Sequence, residues 1–255
     1  FCFGVQRAVN LAYEQKNKER VYTYGPIIHN AQVVEALEQK GIYKLDNVDN
    51  ITDHSTLIIR SHGVAPGVYE QAHNHNVDVV DATCPYVRKI HKIVERHKNN
   101  GDTIVIVGNK NHPEVIGIRG WAKNECIVVD DAAELEKSMF TNNKDICIVC
   151  QTTYRKDKLN DIVQWIQNNY KNVTVYDTIC SATAERQEEA TEIAKQVDYM
   201  IVIGGKSSSN TQKLYEICSK HCHNTVCIET AEELELNNLK DSDRIGITAG
   251  ASTPD

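Results

Sequence analysis

The sequence predicts an α/β protein of three small parallel-sheet α/β domains in pseudo-threefold arrangement, over residues 1–83, 84–179 and 180–255. Three observations carry that expectation. Short β-branched runs alternate with helical-period stretches, the pattern of βα units. One order of elements occurs three times, each time opening on a cysteine: Cys2, Cys84 and Cys180. The spacing also repeats, with 27 residues from Cys2 to His29 and 28 both from Cys84 to His112 and from Cys180 to Ser208.

Each element follows from local chemistry. In the first unit FGVQRAVNLAYEQ reads as a helix, RVYTY as a strand ending in the loop GPIIHN, AQVVEALEQKG as a helix, and STLIIR as a strand ending in SHGVAP. The second opens on a helix with proline in its first turn, PYVRKIHKIVERHKNNG. The strand DTIVIVG then runs into NKNHPE, and DICIVC runs into QTTY. The third gives the helix SATAERQEEATEIAKQ, the strand DYMIVIGG ending in KSSSN, the helix TQKLYEICSKH, the strand NTVCIET, and RIGIT ending in AGASTPD. The strands VDVVDAT and VTVYDTI lead into Cys84 and Cys180, so the repeat predicts a strand before Cys2 and a closing helix after Asp255.

Composition narrows the class. With 28 basic and 35 acidic residues the formal charge is −7, which argues against nucleic acid or a membrane surface as partner. No apolar run reaches the ~18 residues of a membrane-spanning helix. Nine cysteines, odd in number and scattered, suit a reducing compartment better than a disulfide scaffold.

Cys2, Cys84 and Cys180 each stand where a strand hands over to a helix. Ligands of open α/β sheets gather there, and the helix N–H groups favour a thiolate, so a lowered thiol pKa is expected. Three cysteines at long spacing match no structural zinc motif. Three thiolates can hold a [4Fe–4S] cluster with one iron left open, whereas the alternative is burial as small core residues. The other six cysteines are read as structural. Cys147 and Cys150 lie three apart on a strand and face opposite sides, Cys126 reads as a strand residue, and Cys218 and Cys222 lack a completed ligand set.

Polar side chains recur after the strands: His29, His112 and Ser208 at one repeat position, His62, Thr152 and Ser252 at another. Glu114, Thr153, Ser209 and Asn210 stand beside them. Imidazoles, hydroxyls and an amide form a hydrogen-bonding nest for a phosphate or diphosphate, and the His112-Pro113-Glu114 turn pairs an imidazole with a carboxyl for proton delivery. The remaining histidines, His91 and His97 among them, are read as surface residues. Gly204-Gly205-Lys206-Ser207 lacks the glycine a P-loop needs at Met200, and no dinucleotide or zinc-protease motif occurs.

The segments FCFGVQRAV, RSHGVAP, DATCPYV, NHPEVIG, QTTY, TICSATAERQ, GGKSSSN and TAGASTPD together resemble the 4-hydroxy-3-methylbut-2-enyl diphosphate reductase (IspH/LytB) family from end to end. The resemblance implies three α/β domains around a central [4Fe–4S] iron–sulfur cluster held by Cys2, Cys84 and Cys180. It places His29, His62, His112, Thr152, Ser208, Ser209, Asn210 and Ser252 around the substrate, mainly its diphosphate. Glu114 would be the proton source, with Thr152 and His112 beside it. The implied reaction is reductive dehydroxylation of (E)-4-hydroxy-3-methylbut-2-enyl diphosphate to isopentenyl and dimethylallyl diphosphates, the last step of the non-mevalonate (MEP) isoprenoid route. A ferredoxin or flavodoxin is the implied electron donor, in a bacterial cytoplasm or the stroma of a plastid-type organelle. The competing readings are an iron–sulfur redox or iron sensor and a quinolinate synthase-like enzyme. Glu114 beside His112 within a diphosphate-type nest separates the sensor reading from the reductase, and the HPE and SSSN loops point away from quinolinate synthase.

Overall fold

Runs of Val and Ile with two buried faces build parallel sheets, because helices from βα crossovers cover both sides. The structure, a computed structural model, describes residues 1–254 except 137–138, 141–143, 236–239 and 241. Asp255, the last residue of the TAGASTPD loop, lies outside the described residues.

The first sheet comprises β1 (Val21–Tyr24), β2 (Ile42–Leu45), β3 (Thr56–Ile59) and β4 (Asp78–Asp81), in the order β2-β1-β3-β4. The second comprises β5 (Thr103–Val107), β6 (Ile127–Val129), β7 (Ile146–Cys150) and β8 (Val173–Val175), ordered β6-β5-β7-β8. In the third, β9 (Tyr199–Ile203), β10 (Thr225–Ile228) and β11 (Ile245–Ala249) take the order β10-β9-β11. Every strand pair is parallel, and the strand order repeats from sheet to sheet.

Helices α1 (Phe3–Glu14), α2 (Ala31–Glu38), α3 (Pro66–Asn74), α4 (Pro85–Asn99), α5 (Pro113–Trp121), α6 (Lys156–Asn169), α7 (Ser181–Ala194) and α8 (Ser209–His221) cover these sheets. Alternation along the strands divides the cores. Ile58 packs with Val5, Val9 and Leu37 on one face of the first sheet, while Leu57 and Ile59 meet Val68 and Ala72 on the other. In the second sheet Ile104, Ile106, Cys147 and Val149 face α4 and α5, and Val105, Val107, Ile148 and Cys150 face α6. Cys147 and Cys150 therefore point to opposite faces, both fully buried. Among the described residues, no helix is long and apolar enough to cross a membrane.

Helix starts position the chemistry. Cys2, Cys84 and Cys180 are the N-cap residues of α1, α4 and α7, and none of their side chains makes a capping hydrogen bond. Their backbone N–H groups are held instead. Cys84 donates to the Ser61 carbonyl at 2.9 Å, Cys180 to that of Thr152 at 3.0 Å, and Cys2 to that of Ala251 at 3.1 Å. The loops after β3, β7 and β11 thus fix the next cysteine around the ring, and the third returns to the first.

Candidate active site

All the polar candidates follow the carboxyl ends of strands, and the three cysteines stand at helix starts, Cys84 and Cys180 at strand-to-helix junctions, where backbone N–H groups are left unpaired. His29 follows β1, His62 follows β3, and His112 caps α5, with Glu114 in that helix's first turn. Thr152 follows β7, Ser208 caps α8, Ser209 and Asn210 begin that helix, and Ser252 follows β11. Together with Cys2, Cys84 and Cys180, these nine polar residues line one cavity of about 90 Å³.

The three imidazoles form one wall. Ring centres lie 4.6 Å apart for His29–His62, 5.4 Å for His62–His112 and 5.7 Å for His29–His112. Burial, more than any other cause, lowers the pKa of all three, and at His112 it falls to about 3. They are therefore neutral at pH 7. His29 Nε2 and His62 Nδ1 are buried without a protein partner, as are both polar atoms of the Asn210 amide. His112 Nδ1 accepts the Glu114 backbone N–H at 3.2 Å. That bond assigns the proton of the neutral ring to Nε2, making it a donor toward the cavity. The imidazole nitrogens lie within 4.8 Å of one another, a spacing that by itself suits a metal. A ring whose Nε2 carries a proton suits an anion better.

Glu114 is buried. Its Oε1 accepts the Thr152 backbone N–H at 2.6 Å and its Oε2 accepts the Thr152 hydroxyl at 2.7 Å. Burial raises its pKa to about 7 against the opposing pull of these two bonds. A carboxyl with that pKa carries a proton part of the time near neutrality, the condition for a general acid.

Gln151 organises the neighbouring wall and was not singled out by the sequence. Its Oε1 accepts the Asn109 N–H at 3.2 Å, while its Nε2 donates to Thr153 Oγ1 at 2.9 Å and Ser209 Oγ at 3.0 Å. Thr153 and Ser209 hydroxyls lie 2.9 Å apart. The Ser208 hydroxyl is engaged in capping the Thr211 N–H.

The structure corrects three expectations. The thiols of Cys84 and Cys180 are raised, not lowered: backbone N–H groups at the helix starts do pull them down, but burial outweighs that pull. His91 and His97 are not surface residues. His91 is 3% exposed, stacks on Trp121 at 5.2 Å, and fills the space against Gly63 in the His62 loop. His97 is half-buried, its Nδ1 2.6 Å from Asp102 and its Nε2 2.9 Å from the Tyr176 hydroxyl. The helical period of α4 places His91 one turn from Val87 and Val94, both core positions, a signal that the sequence offered. Cys126 lies just before β6 rather than on it. Cys218 and Cys222 are buried.

Comparison with known proteins agrees with this geometry. The family model described as LytB protein matches residues 1–255. A 4-hydroxy-3-methylbut-2-enyl diphosphate reductase of Clostridioides difficile is 46% identical over 256 residues, covering 100% of this chain and 91% of that protein. A protein of the same name from Caldanaerobacter subterraneus is 47% identical, covering 100% of this chain and 90% of its own. The solved E-1-hydroxy-2-methyl-but-2-enyl-4-diphosphate reductase of Plasmodium falciparum superposes with a TM-score of 0.94 at 32% identity, over 100% of this chain and 81% of that one. A solved (E)-4-hydroxy-3-methyl-but-2-enyl diphosphate reductase, described as the terminal enzyme of the non-mevalonate pathway, gives 0.72 at 42% identity, over 100% and 91%. With its cavity built from the repeated loops and a family match over its whole length, the chain belongs to the LytB family of 4-hydroxy-3-methylbut-2-enyl diphosphate reductases.

Proposed function

We propose that the protein reductively dehydroxylates (E)-4-hydroxy-3-methylbut-2-enyl diphosphate, giving isopentenyl and dimethylallyl diphosphates. One observation carries this reading: a buried carboxyl with a pKa of about 7 stands in the same cavity as three free cysteines and three neutral imidazoles. The reaction consumes two electrons and two protons; the allylic C–O bond breaks, one proton leaves with the hydroxyl as water, and the other ends on the allyl carbon.

Cys2, Cys84 and Cys180 would hold a [4Fe–4S] cluster. Their fit rests on the donor set: three cysteines outside any disulfide, at equivalent helix starts, with side chains left uncapped and opening on one cavity. Bound there, the cluster supplies electrons and an open iron that acts as a Lewis acid. The chain's own residues do the rest. His29, His62 and Asn210 direct unpaired polar atoms at the diphosphate, His112 offers its Nε2–H, and Ser208, Ser209 and Ser252 line the same end. Fixing that non-reacting group spends its binding energy on orientation. Glu114 delivers the proton to the departing hydroxyl, and Thr152 holds both carboxylate oxygens so that it faces one way. Domains 1–83, 84–179 and 180–255 correspond to the three sheets, each lending one cysteine and its polar loops.

The electrons come from an external carrier, for which a small ferredoxin or flavodoxin is the proposed class. The curated relatives named above are bacterial, which favours the bacterial cytoplasm over an organelle stroma. Anaerobic purification with iron and sulfide counting, followed by turnover of the allylic diphosphate with a chemical reductant, tests the reading. About four irons per chain and production of both isoprenoid diphosphates are expected. Iron-loaded protein inert toward that substrate would favour the sensor reading instead.

A further inference from the structure

None of the cavity-lining residues is a lysine or arginine, yet a diphosphate carries at least two negative charges. Neutral donors satisfy its hydrogen bonds but leave its charge uncompensated, and burying such a charge is costly. A cation stands on the loop that carries His62, outside the cavity lining. Arg60 follows β3, two residues before His62. Its Nε is buried without a partner. Its guanidinium carbon lies 5.6 Å from the centre of the Tyr24 ring. The one carboxylate that acts on it, Asp46, is paired with Lys44 at 3.4 Å. Its seat is built into the chain: residue 25 is a glycine with φ of 66°, and a side chain there would collide with Arg60 Nη1. A partly buried guanidinium with no paired carboxylate acts on its neighbours, and His29, His62 and His112 all feel it.

We propose that Arg60 is a specificity-determining residue, the counter-charge for the diphosphate, acting from outside the cavity lining without touching the ligand. The inference rests on the diphosphate reading given above and deepens it. A fixed cation at that depth favours anions in proportion to their charge, so diphosphate gains more than monophosphate. It also allows the imidazoles to stay neutral donors. The titratable and charged groups facing Arg60 are Tyr24 on β1, Asp46 beyond β2, and His29, His62 and His112.

The test measures binding of inorganic diphosphate and inorganic phosphate to the iron-loaded protein, with steady-state kinetics alongside, for the unmodified chain, Arg60→Met and Arg60→Lys. Arg60→Met is expected to weaken diphosphate roughly 10- to 100-fold at pH 8 and phosphate by less than roughly tenfold. Arg60→Lys should recover most of the deficit, and kcat should stay within about threefold while KM rises. Equal losses for both anions, or a kcat loss that lysine does not rescue, would overturn the proposal in favour of a packing role over Tyr24. Unchanged diphosphate affinity in Arg60→Met would also overturn it. Should Arg60→Met not fold, Arg60→Gln keeps the stem and a planar polar head and carries the same comparison. If the unmodified chain itself ignores diphosphate, the functional reading fails first, and that result is distinct from any difference among the variants.

Discussion

Glu114 joins two opposing demands in one side chain. Acid catalysis needs a carboxyl that holds its proton near neutrality, and burial supplies that by raising its pKa to about 7. The cost falls on stability. A carboxyl whose folded pKa lies above its ordinary value contributes fully below that ordinary value, and its contribution is lost as pH rises through about 7. The full loss is roughly 3 kcal/mol. Glutamine does not ionise, so Glu114→Gln should melt above the parent at pH 8 and near it at pH 5, a difference that thermal unfolding at the two pH values reads directly. Turnover should move the opposite way. The variant is expected to lose about 10²- to 10⁴-fold in kcat with little change in KM, together with the fall in the parent's rate as pH climbs past about 7. Parent-like rates at saturating substrate would remove Glu114 from the proton's path. The His112-Pro113-Glu114 turn was legible in the sequence. The pairing with Thr152 came only through the family resemblance, and its grip on both carboxylate oxygens is not a local signal, because the two residues lie 38 positions apart.

The helices explain how loops hold such geometry. Helix α5 carries His112 and Glu114 at its start, and its far end grips the loop bearing His62. Trp121 Nε1 donates to the Val64 carbonyl at 3.0 Å, and Gly120 lets the helix approach so closely that an added Cβ would stand 2.9 Å from Ala65 Cα. Backbone cannot yield as a flexible side chain can. Gly120→Ala should therefore cost about 1–3 kcal/mol, visible as a lowered denaturation midpoint. It should also raise KM, since the His62 loop is displaced with Ala65. Buried His91 supports the same loop from α4, the helix that begins at Cys84. Sequence periodicity located these helices well, because proline starts and apolar spacing are local signals. It could not pair α4 and α5 with a loop of the first unit.

Across the molecule, single bonds join what the repeat keeps apart. Asn30 accepts the Val33 N–H at 3.0 Å as the cap of α2, and its Nδ2 donates to the Ser252 carbonyl at 3.0 Å, linking the first unit to the third. Gln151 and Thr153 reach Ser209 and link the second to the third. Asn30→Asp keeps the cap but loses the donor. It should leave the melting temperature nearly unchanged while KM rises several-fold, whereas Asn30→Ala should lose about 1 kcal/mol besides. Equal melting losses in both variants would mean that the bond to Ser252, and not the cap, carries the stability.

The parallel α/β class, the strand and helix sites, and the candidate residues that share one cavity are legible in the order of amino acids alone. Those features are written in local periodicity and in a spacing repeated three times, and both survive in a linear string. Only the tertiary structure decided the protonation of the site. The expected lowering reversed at Cys84 and Cys180 because burial, a property of the assembled units, outweighs the helix N–H groups that the sequence reveals. Arg60 belongs to the same class of fact. In the string it is one more basic residue beside a histidine, and its Nε becomes a buried group without a partner only when Tyr24 and Gly25 close around the side chain.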